Sequence, residues 1–405
     1  MALKEQFQVS GRYRTWSLTL SGIGVLSVLI GYFVYGTGDE HDQARFWSMM
    51  LQNSVYFLLV VNAAMFFICA NTLAMGGWQM SFRRVSEAIS VAVIPVGIIA
   101  FVILMALVFG HQHHIYHWLT PEGDKILEGK RGFLNPTFFT IWTVLSIGLW
   151  ILLGYRMRTL SRQLDNNPIQ SIEEGKKYVF KTTVRAAVYI FWFALSVAST
   201  TPWLWLMSID AHWFSTMYSW YTFASTFVAG LALITLFVIY LKNKGYLELV
   251  NEEHLHDLGK FMFAFSIFWC YLWFSQFMLI WYANIPEETV YFKPRLQGVY
   301  KGIFWLNFII NFLAPLLILM KRNSKRNYAT LTFISVFILF GHWLDFYQMV
   351  FPGPFGDHLQ LGLLDFGVAL GFIGLIMWVT GSQLGKHSLY AKNHPFFKET
   401  IIHHT

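Results

Sequence analysis

The sequence predicts an all-α integral membrane protein with about ten transmembrane helices. Two observations carry this prediction. Hydrophobic residues make up 56% of the 405 residues and charged residues only 13%, which is about half of the charged share of a soluble domain. The apolar residues also gather in long runs separated by polar loops, and a run of about 20 apolar residues is long enough to cross a bilayer.

Ten such runs follow one another along the chain. None of the loops between them is long enough to hold an inserted soluble domain, so residues 1–405 are predicted to form a single polytopic membrane domain. The predicted spans are residues 16–36, 47–73, 85–110, 136–160, 184–207, 213–241, 255–283, 300–320, 328–350 and 360–381.

The basic residues predict the orientation in the membrane. An even number of spans puts both termini on one side, and 22 of the 29 lysines and arginines fall on that side, against 7 on the other. Because an excess of Lys and Arg marks cytoplasmic loops, both termini are predicted to be cytoplasmic. The net charge of +7 is scattered over short loops rather than gathered on one face, which argues against a nucleic-acid partner.

Residues that hold redox metals are few. The two cysteines, Cys69 and Cys270, lie inside apolar runs, and the chain has no CxxCH motif for a c-type haem. Two cysteines are too few for an iron–sulfur cluster, which usually has four cysteine ligands. The histidines lie near the ends of the spans, whereas a b-type haem needs histidines that face each other inside the bilayer. We therefore expect no haem, iron–sulfur cluster or other metal in this chain.

Polar side chains at membrane depth are functional hypotheses by default, because burying them in lipid is costly. In the sixth span, Asp210 and His212 are followed by hydroxyl side chains in steps of three and four, which places them on one helix face. Such a stripe can relay protons from an Asp–His pair at its outer mouth. Equally, the hydroxyls can bond their own backbone, and Asp210 can cap a helix beginning near Trp213. The hydroxyl residues are Ser215, Tyr218, Ser219, Thr222, Ser225 and Thr226.

Two further sets of ionisable residues lie near the ends of spans. His342 and Asp345 are three apart on the ninth span, and Asp365 begins the antiparallel tenth span, so the three are predicted to meet on the outer side. On the cytoplasmic side, Asp257 and Lys260 are three apart on the seventh span and can form an ion pair. Each set has a purely structural interpretation and a second one, as part of a proton path or quinone site.

Three features carry a resemblance to a known family. They are the ten-span layout, the segment SIDAHWFSTMYSW at 208–220, and the segments HDLGKFMFAF at 256–265 and WFSQFMLIWYANIPEET at 273–289. Together they resemble the NrfD-like membrane subunits of alternative complex III, and among these the ActF type. That complex is a quinol:cytochrome c oxidoreductase of the bacterial cytoplasmic membrane.

The resemblance implies two four-helix bundles, with the first and last helices outside them. It also implies a complex that oxidises a quinol, with menaquinone the expected type, and passes the electrons to iron–sulfur and c-haem subunits. In that complex a sister NrfD-like subunit lies nearest the iron–sulfur subunit and is the better candidate for quinol oxidation. Subunits of the present type are then expected to support the assembly and to conduct protons.

The sequence thus leads to three hypotheses of function. The first is a membrane subunit of a respiratory quinol:acceptor complex that supports quinol oxidation and proton translocation without a redox metal of its own. The second is a purely structural scaffold in the same complex. The third is a secondary transporter, since Pro95 and Pro315 can break spans three and eight near the midplane, where transporters bind substrates.

Overall fold

The computed structural model describes residues 4–356 and 358–404. Within these residues, ten helices are long and apolar enough to cross a membrane, which confirms the predicted number of spans. They are α1 (Gly11–Gly36), α2 (Glu40–Leu73), α3 (Arg83–Phe109), α4 (Pro136–Asn166), α5 (Ile172–Trp205), α6 (Met217–Asn243), α7 (Glu252–Ala283), α8 (Gly298–Leu319), α9 (Tyr328–Val350) and α10 (Leu363–Lys386).

Side chains placed just before the helices set several of their starting points. Asp39, Asn135 and Ser171 each accept a hydrogen bond from a backbone N–H of the first turn of α2, α4 and α5, and such caps satisfy N–H groups that the helix leaves unpaired. Asn251 does the same for α7. The Ser171 cap lets α5 begin well before its apolar run, and α4 continues beyond its own run to Asn166, so only residues 167–171 separate the two helices.

Three helices are interrupted next to a proline. Helix α3 breaks at Ala92, three residues before Pro95, while α5 and α8 contain π-helical turns at Ser196–Thr200 and Ile309–Leu313. Because proline has no N–H and its ring clashes with the carbonyl four residues earlier, it disrupts the preceding turn. The turn in α8 ends two residues before Pro315 and carries Asn311 into the candidate site described below.

The helices pack in two rings and one pair. Helices α2, α3, α4 and α5 contact one another in a closed ring, and α6, α7, α8 and α9 form a second ring, with α2 packed against α6 between them. Helices α1 and α10 pair along most of their length outside the rings. Gly24 and Gly371 lie at this crossing, where a Cβ added to Gly24 would lie 2.2 Å from the Cα of Gly371. Only glycine permits such close approach of the two backbones.

Within the described residues, the segments near both ends of the chain lie at the same face of the molecule. The backbone N–H of Leu389 donates to the carbonyl of Glu5 at 2.7 Å, and the Lys392 ammonium lies 2.5 Å from the Glu5 carboxylate. We call the face with these segments and the α2–α3, α4–α5, α6–α7 and α8–α9 connections the terminal face. The opposite face carries the α1–α2, α3–α4, α5–α6, α7–α8 and α9–α10 connections.

Candidate functional site

A fully buried carboxylate, Asp345, lies at the centre of the second ring, nearer the opposite face. It accepts hydrogen bonds from the hydroxyls of Tyr221 and Ser225 (2.8 Å for Ser225), from the indole N–H of Trp269 (3.0 Å) and from the amide of Asn307 (3.5 Å). Helices α6, α7 and α8 therefore all supply donors to a carboxylate on α9. Donors from several helices thus satisfy a polar group that would otherwise be costly to bury.

His342 lies beside this carboxylate, one turn earlier on α9, as the three-residue spacing predicted. Its Nδ1 is 3.9 Å from Asp345 Oδ2 and 3.0 Å from the Ser225 hydroxyl, which bridges the two groups. The ring lies edge-on to Trp269, with centroids 5.6 Å apart. Its Nε2 is buried and has no hydrogen-bond partner among the described residues. One ring nitrogen thus faces the carboxylate network, and the other is available to a water or a proton.

The π-helical turn of α8 adds a pair of amides to this network. The Asn311 side chain donates to the Asn307 oxygen at 3.3 Å, so the two amides bond along α8 rather than between helices, and only Asn307 reaches Asp345. Gly341 on α9 faces this turn, and a Cβ at that position would lie 2.1 Å from Asn311 Oδ1. The close approach of α8 and α9 therefore depends on glycine at this position.

At the opposite face, the predicted Asp210–His212 pair does not form. Asp210 instead accepts a hydrogen bond from Arg295 at 3.0 Å, and the His212 Nε2 lies 2.5 Å from a carboxylate oxygen of Asp124 in the α3–α4 connection. The hydrogen bond with His212 lowers the pKa of the Asp124 carboxyl. Asp210 does not cap a helix either, since residues 207–210 form a 3₁₀ turn and α6 begins only at Met217.

Arg295 holds this region together from the α7–α8 connection. Its guanidinium is 2% exposed, donates to the backbone carbonyls of Gln348 and Tyr291, and lies 3.5 Å above the Tyr291 ring. Burial by itself lowers the pKa of Arg295, but the neighbouring Tyr291 and Asp210 outweigh it and raise the pKa above its ordinary value. Burial raises the pKa of the Tyr291 hydroxyl to about 12. Arg295 therefore keeps its positive charge, paired with Asp210.

Two tyrosines lie between the Asp210–Arg295 pair and Asp345. The Tyr218 ring is 6.1 Å from the Tyr291 ring and 6.3 Å from the Tyr221 ring, centroid to centroid. The Tyr218 hydroxyl is buried and has no hydrogen-bond partner among the described residues, whereas the Tyr221 hydroxyl donates to Asp345. The Tyr218 ring thus lies between Tyr291, beside Arg295, and Tyr221, which donates to the buried carboxylate.

The predicted hydroxyl stripe on α6 divides into two parts. The Ser225 hydroxyl belongs to the buried network and Tyr218 lies beside it, whereas Ser219, Thr222 and Thr226 donate to backbone carbonyls. Ser219 donates to the carbonyl of Ser199 and Thr222 to that of Tyr218 (2.8 Å). Ser215 precedes α6, and its N–H contacts the Met207 sulfur at 3.3 Å. For Thr222 and Thr226 the structure shows the backbone-bonding alternative, and the relay role of the stripe stays a prediction.

Asp365 lies apart from His342 and Asp345, contrary to the prediction that the three meet. Both carboxylate oxygens pair with the guanidinium of Arg45 on α2, with 3.0 Å between Nη1 and Oδ1. One oxygen also accepts from the N–H of Gly362 at 2.8 Å, at the start of α10. Arg45 and Asp365 are 3% and 0% exposed, so this is a buried ion pair that ties the peripheral helix α10 to the first ring.

At the terminal face, Asp257 and Lys260 form the predicted ion pair at 2.6 Å. Two residues that the sequence did not suggest approach the same carboxylate. His403 Nε2 lies 2.7 Å from the second carboxylate oxygen, and His256 Nδ1 lies 3.7 Å from the first. The Asp257 side chain is 10% exposed and Lys260 50%, so the carboxylate opens to water mainly through these neighbours.

The first ring has a buried charge cluster that the sequence interpretation missed. Glu87 on α3 pairs with Arg83 at 3.1 Å and Arg84 at 2.8 Å, and Arg84 also pairs with Asp165 on α4 at 2.6 Å. The arginines had been counted as loop residues. Their burial follows from the extension of α3 and α4 beyond the apolar runs, which could have been recognised from Arg83 and Glu87 lying four apart.

A cavity of about 790 Å³ opens between the peripheral pair and the two rings, lined by residues of α1, α2, α6, α9 and α10. Its walls are almost entirely apolar. The hydroxyls of Tyr13, Tyr56 and Thr332 on its wall donate to backbone carbonyls at 2.7 to 2.8 Å. The cavity wall can therefore bind a hydrocarbon chain. The hydroxyls of these three residues are not available to donate to a bound molecule.

Among the described residues, one group of side chains has metal-ligand spacing. Asp39, His41 and Asp42 offer ligand atoms within 4.8 Å of one another at the opposite face. Asp39 already caps α2 through its side chain, and exposed groups of this kind are common without an ion.

No protein-family model and no curated protein matches the chain. By its fold and candidate site, the chain is a membrane protein in which, over the described residues, ten helices are long enough to span the bilayer, with a buried carboxylate network and a cluster of ionisable residues at each face.

Proposed function

We propose that this chain is an NrfD-like membrane subunit of a quinol:cytochrome c oxidoreductase of the alternative complex III type. The proposal places it in a bacterial cytoplasmic membrane with the terminal face in the cytoplasm. Two lines of support exist: the three sequence segments that resemble the family, and the packing of the helices in two rings of four with α1 and α10 outside. The ActF type has this arrangement.

Within the complex, we propose that the second ring conducts protons. The observation that carries this role is Asp345, a fully buried carboxylate that contacts donors from three other helices and lies next to His342. Moving a charge against the membrane potential requires about 2.3 kcal/mol per 100 mV, so a conducting subunit needs titratable groups at depth. Asp210 and His212 form the outer end of the path, and Asp257 with Lys260 the inner end.

The inner half of this path needs water. Trp269 and Asp257 are twelve residues apart on α7, which is about 18 Å along a helix. Within the described part of the chain, three buried polar atoms in this interval or at its start have no hydrogen-bond partner: the Ser266 hydroxyl, His342 Nε2 and Asn311 Oδ1. Such atoms in native proteins are usually satisfied by buried water. We propose that waters at these three atoms begin a chain of waters, which continues from Ser266 over the remaining nine residues of α7, about 14 Å along the helix, to Asp257.

The chain supports quinol oxidation rather than performing it. A quinone ring is held by hydrogen-bond donors to its two oxygens, and on the large cavity wall the hydroxyls of Tyr13 and Tyr56 already donate to backbone carbonyls. The proposed site of quinol oxidation is therefore the sister NrfD-like subunit, with menaquinone as the expected quinone. The proposed partners are that subunit, the iron–sulfur subunit and the c-haem subunits, besides membrane lipid, and this chain holds no redox metal.

A scaffold role is the second candidate, because several predicted path residues have structural bonds. Ser219 and Thr222 donate to backbone carbonyls, and Asp365 belongs to an ion pair between α10 and α2. If all of the candidate path residues had only such structural bonds, the subunit would stabilise the assembled complex without conducting protons.

Purification from the native membrane in a mild detergent tests the proposal first. We expect the chain to co-purify with subunits that show the visible spectrum of c-type haem and with quinol:cytochrome c activity. A secondary transporter would instead purify alone, and a chain that elutes without haem subunits under conditions that preserve other respiratory complexes would contradict the proposal.

A further inference from the structure

The C-terminal segment folds over the terminal face and joins the two rings there. Thr400, in the short helix Phe397–Ile401, is buried; its hydroxyl donates to the carbonyl of Trp78 at 2.7 Å and lies 2.8 Å from His254 Nε2. Trp78 belongs to the α2–α3 connection and His254 to the first turn of α7. His254 Nδ1 lies 3.2 Å from the backbone nitrogen and 2.6 Å from the side-chain oxygen of Asn251, so the ring is held between Asn251 and Thr400.

This anchored segment places His403 on the carboxylate of Asp257. The His403 Nε2 lies 2.7 Å from Asp257 Oδ2, and its carbonyl accepts a hydrogen bond from the Asn251 amide at 3.3 Å. Its ring packs 5.1 Å from the His254 ring and is only partly covered, with 15% of the side chain exposed. His403 thus contacts both the buried carboxylate and water.

We propose that His403 is the group that exchanges protons between the cytoplasm and the inner end of the path. The inference rests on the proposed function. Asp257 is largely buried, so a proton reaches it through a neighbour, and the two ionisable side chains closest to its oxygens are Lys260 and His403. Lysine side chains release protons only far above neutral pH, whereas imidazole titrates at about 6.5.

The charges around His403 set the conditions of this exchange. The ionisable groups beside the Asp257–His403 pair are Lys260 and His256, which approach the Asp257 carboxylate at 2.6 and 3.7 Å, and His254, whose ring packs on the His403 ring. The Asp257 carboxylate favours an imidazole that holds a proton, and the neighbouring cations oppose it, so both states of the proton have partners at this position.

A structural clamp is the competing interpretation, and two substitutions separate it from proton exchange. His403→Gln keeps an amide donor near Asp257 but removes the titrating group. Thr400→Val removes the anchor of the segment and leaves the imidazole in the chain. His404→Gln, at the exposed neighbouring position, is the matched control.

The test measures proton uptake from the terminal face by the intact complex in proteoliposomes during quinol oxidation. For His403→Gln we expect uptake to slow roughly tenfold or more, to lose the pH dependence that an imidazole gives between about pH 5 and 8, and to recover when imidazole is added on that side. His404→Gln should match the unmodified complex. A clamp role predicts the reverse pattern: Thr400→Val impairs the complex, while His403→Gln shows normal uptake, a normal pH profile and no effect of added imidazole.

The Asp345→Asn variant, measured alongside, separates failure of this inference from failure of the proposed function. If Asp345→Asn abolishes coupled uptake while His403→Gln leaves it normal, the proton path stands and only the role of His403 is overturned. If Asp345→Asn has normal coupled uptake, the proposed function and the inference that rests on it are both overturned.

Discussion

The buried pair Arg45–Asp365 allows a quantitative prediction. Both side chains are almost fully buried, at 3% and 0% exposure. Asp365→Asn keeps the size of the side chain but leaves the Arg45 cation without its anion, and breaking a buried pair in this way costs about 3–5 kcal/mol. Arg45 also lies over the rings of Phe351 (5.0 Å) and Tyr35 (5.6 Å). These contacts persist in the variant and still stabilise the guanidinium, which lowers the cost of leaving it without an anion by roughly 1 kcal/mol. The expected net loss is about 2–4 kcal/mol.

The assay is the unfolding of the purified protein in detergent micelles by SDS titration. A loss of about 2–4 kcal/mol lowers the folding equilibrium constant by roughly 30- to 1,000-fold. Glu40→Gln is the matched control, because it breaks the exposed pair with His114 and should change stability by less than about 1 kcal/mol. The double substitution Arg45→Met, Asp365→Leu should recover most of the loss. Unchanged stability of Asp365→Asn with impaired proton transfer would refute the reasoning and return Asp365 to the proton path.

Three further predictions concern stability at low pH, orientation and metal content. Burial and the neighbouring Arg83 lower the pKa of His394 from 6.5 to about 3. Between these two pH values the unfolded chain therefore binds a proton at His394 that the folded protein does not bind. The free energy of unfolding has its full value above about pH 6.5 and falls toward pH 3 by up to 1.4 kcal/mol per pH unit. His394→Phe should flatten that slope in thermal unfolding measured at several pH values, and an unchanged slope would contradict the assignment. Single cysteines at His113 and Ser388 should be labelled from opposite sides of the membrane, and labelling of both from one side would exclude the proposed topology. The subunit isolated from its partners should contain no stoichiometric iron and show no haem spectrum, and either signal would disprove the absence of a redox metal.

The ten spanning helices could be predicted because each apolar run carries its own signal. Bilayer thickness fixes the length that such a run must have, and no knowledge of neighbouring helices is needed. The ends were harder to predict. Helix α6 begins four residues later than the apolar run at Trp213, because that indole stacks on Tyr291 at 4.0 Å and the chain around it stays irregular.

The contacts of the candidate site depend on which helices meet, and sequence spacing cannot give that. His342 and Asp345 were predicted correctly as neighbours because three residues make nearly one helical turn. Asp210, in contrast, pairs with Arg295, and Asp365 with Arg45, over separations of 85 and 320 residues. Both arginines lay among loop residues in the sequence.

Aromatic residues concealed other parts of the site. Tyr221 and Trp269 donate to Asp345, yet in a chain with 19% aromatic residues they look like ordinary packing or interfacial side chains. The one available signal was the spacing of Tyr221 and Ser225, four residues apart on the same helix face. The hydroxyl and indole N–H groups of such side chains can be recognised as part of the site only when the structure shows a buried carboxylate beside them.

The number of protons moved per electron in the Asp345→Asn complex tests the central claim most directly. The intact complex is reconstituted in proteoliposomes and supplied with quinol and cytochrome c, with Ser219→Ala as the control, since that hydroxyl bonds only a backbone carbonyl. The account predicts that Asp345→Asn assembles and oxidises quinol but moves no more protons than quinol oxidation itself releases, while Ser219→Ala keeps the full stoichiometry. A full proton-to-electron ratio in an assembled Asp345→Asn complex would contradict the account.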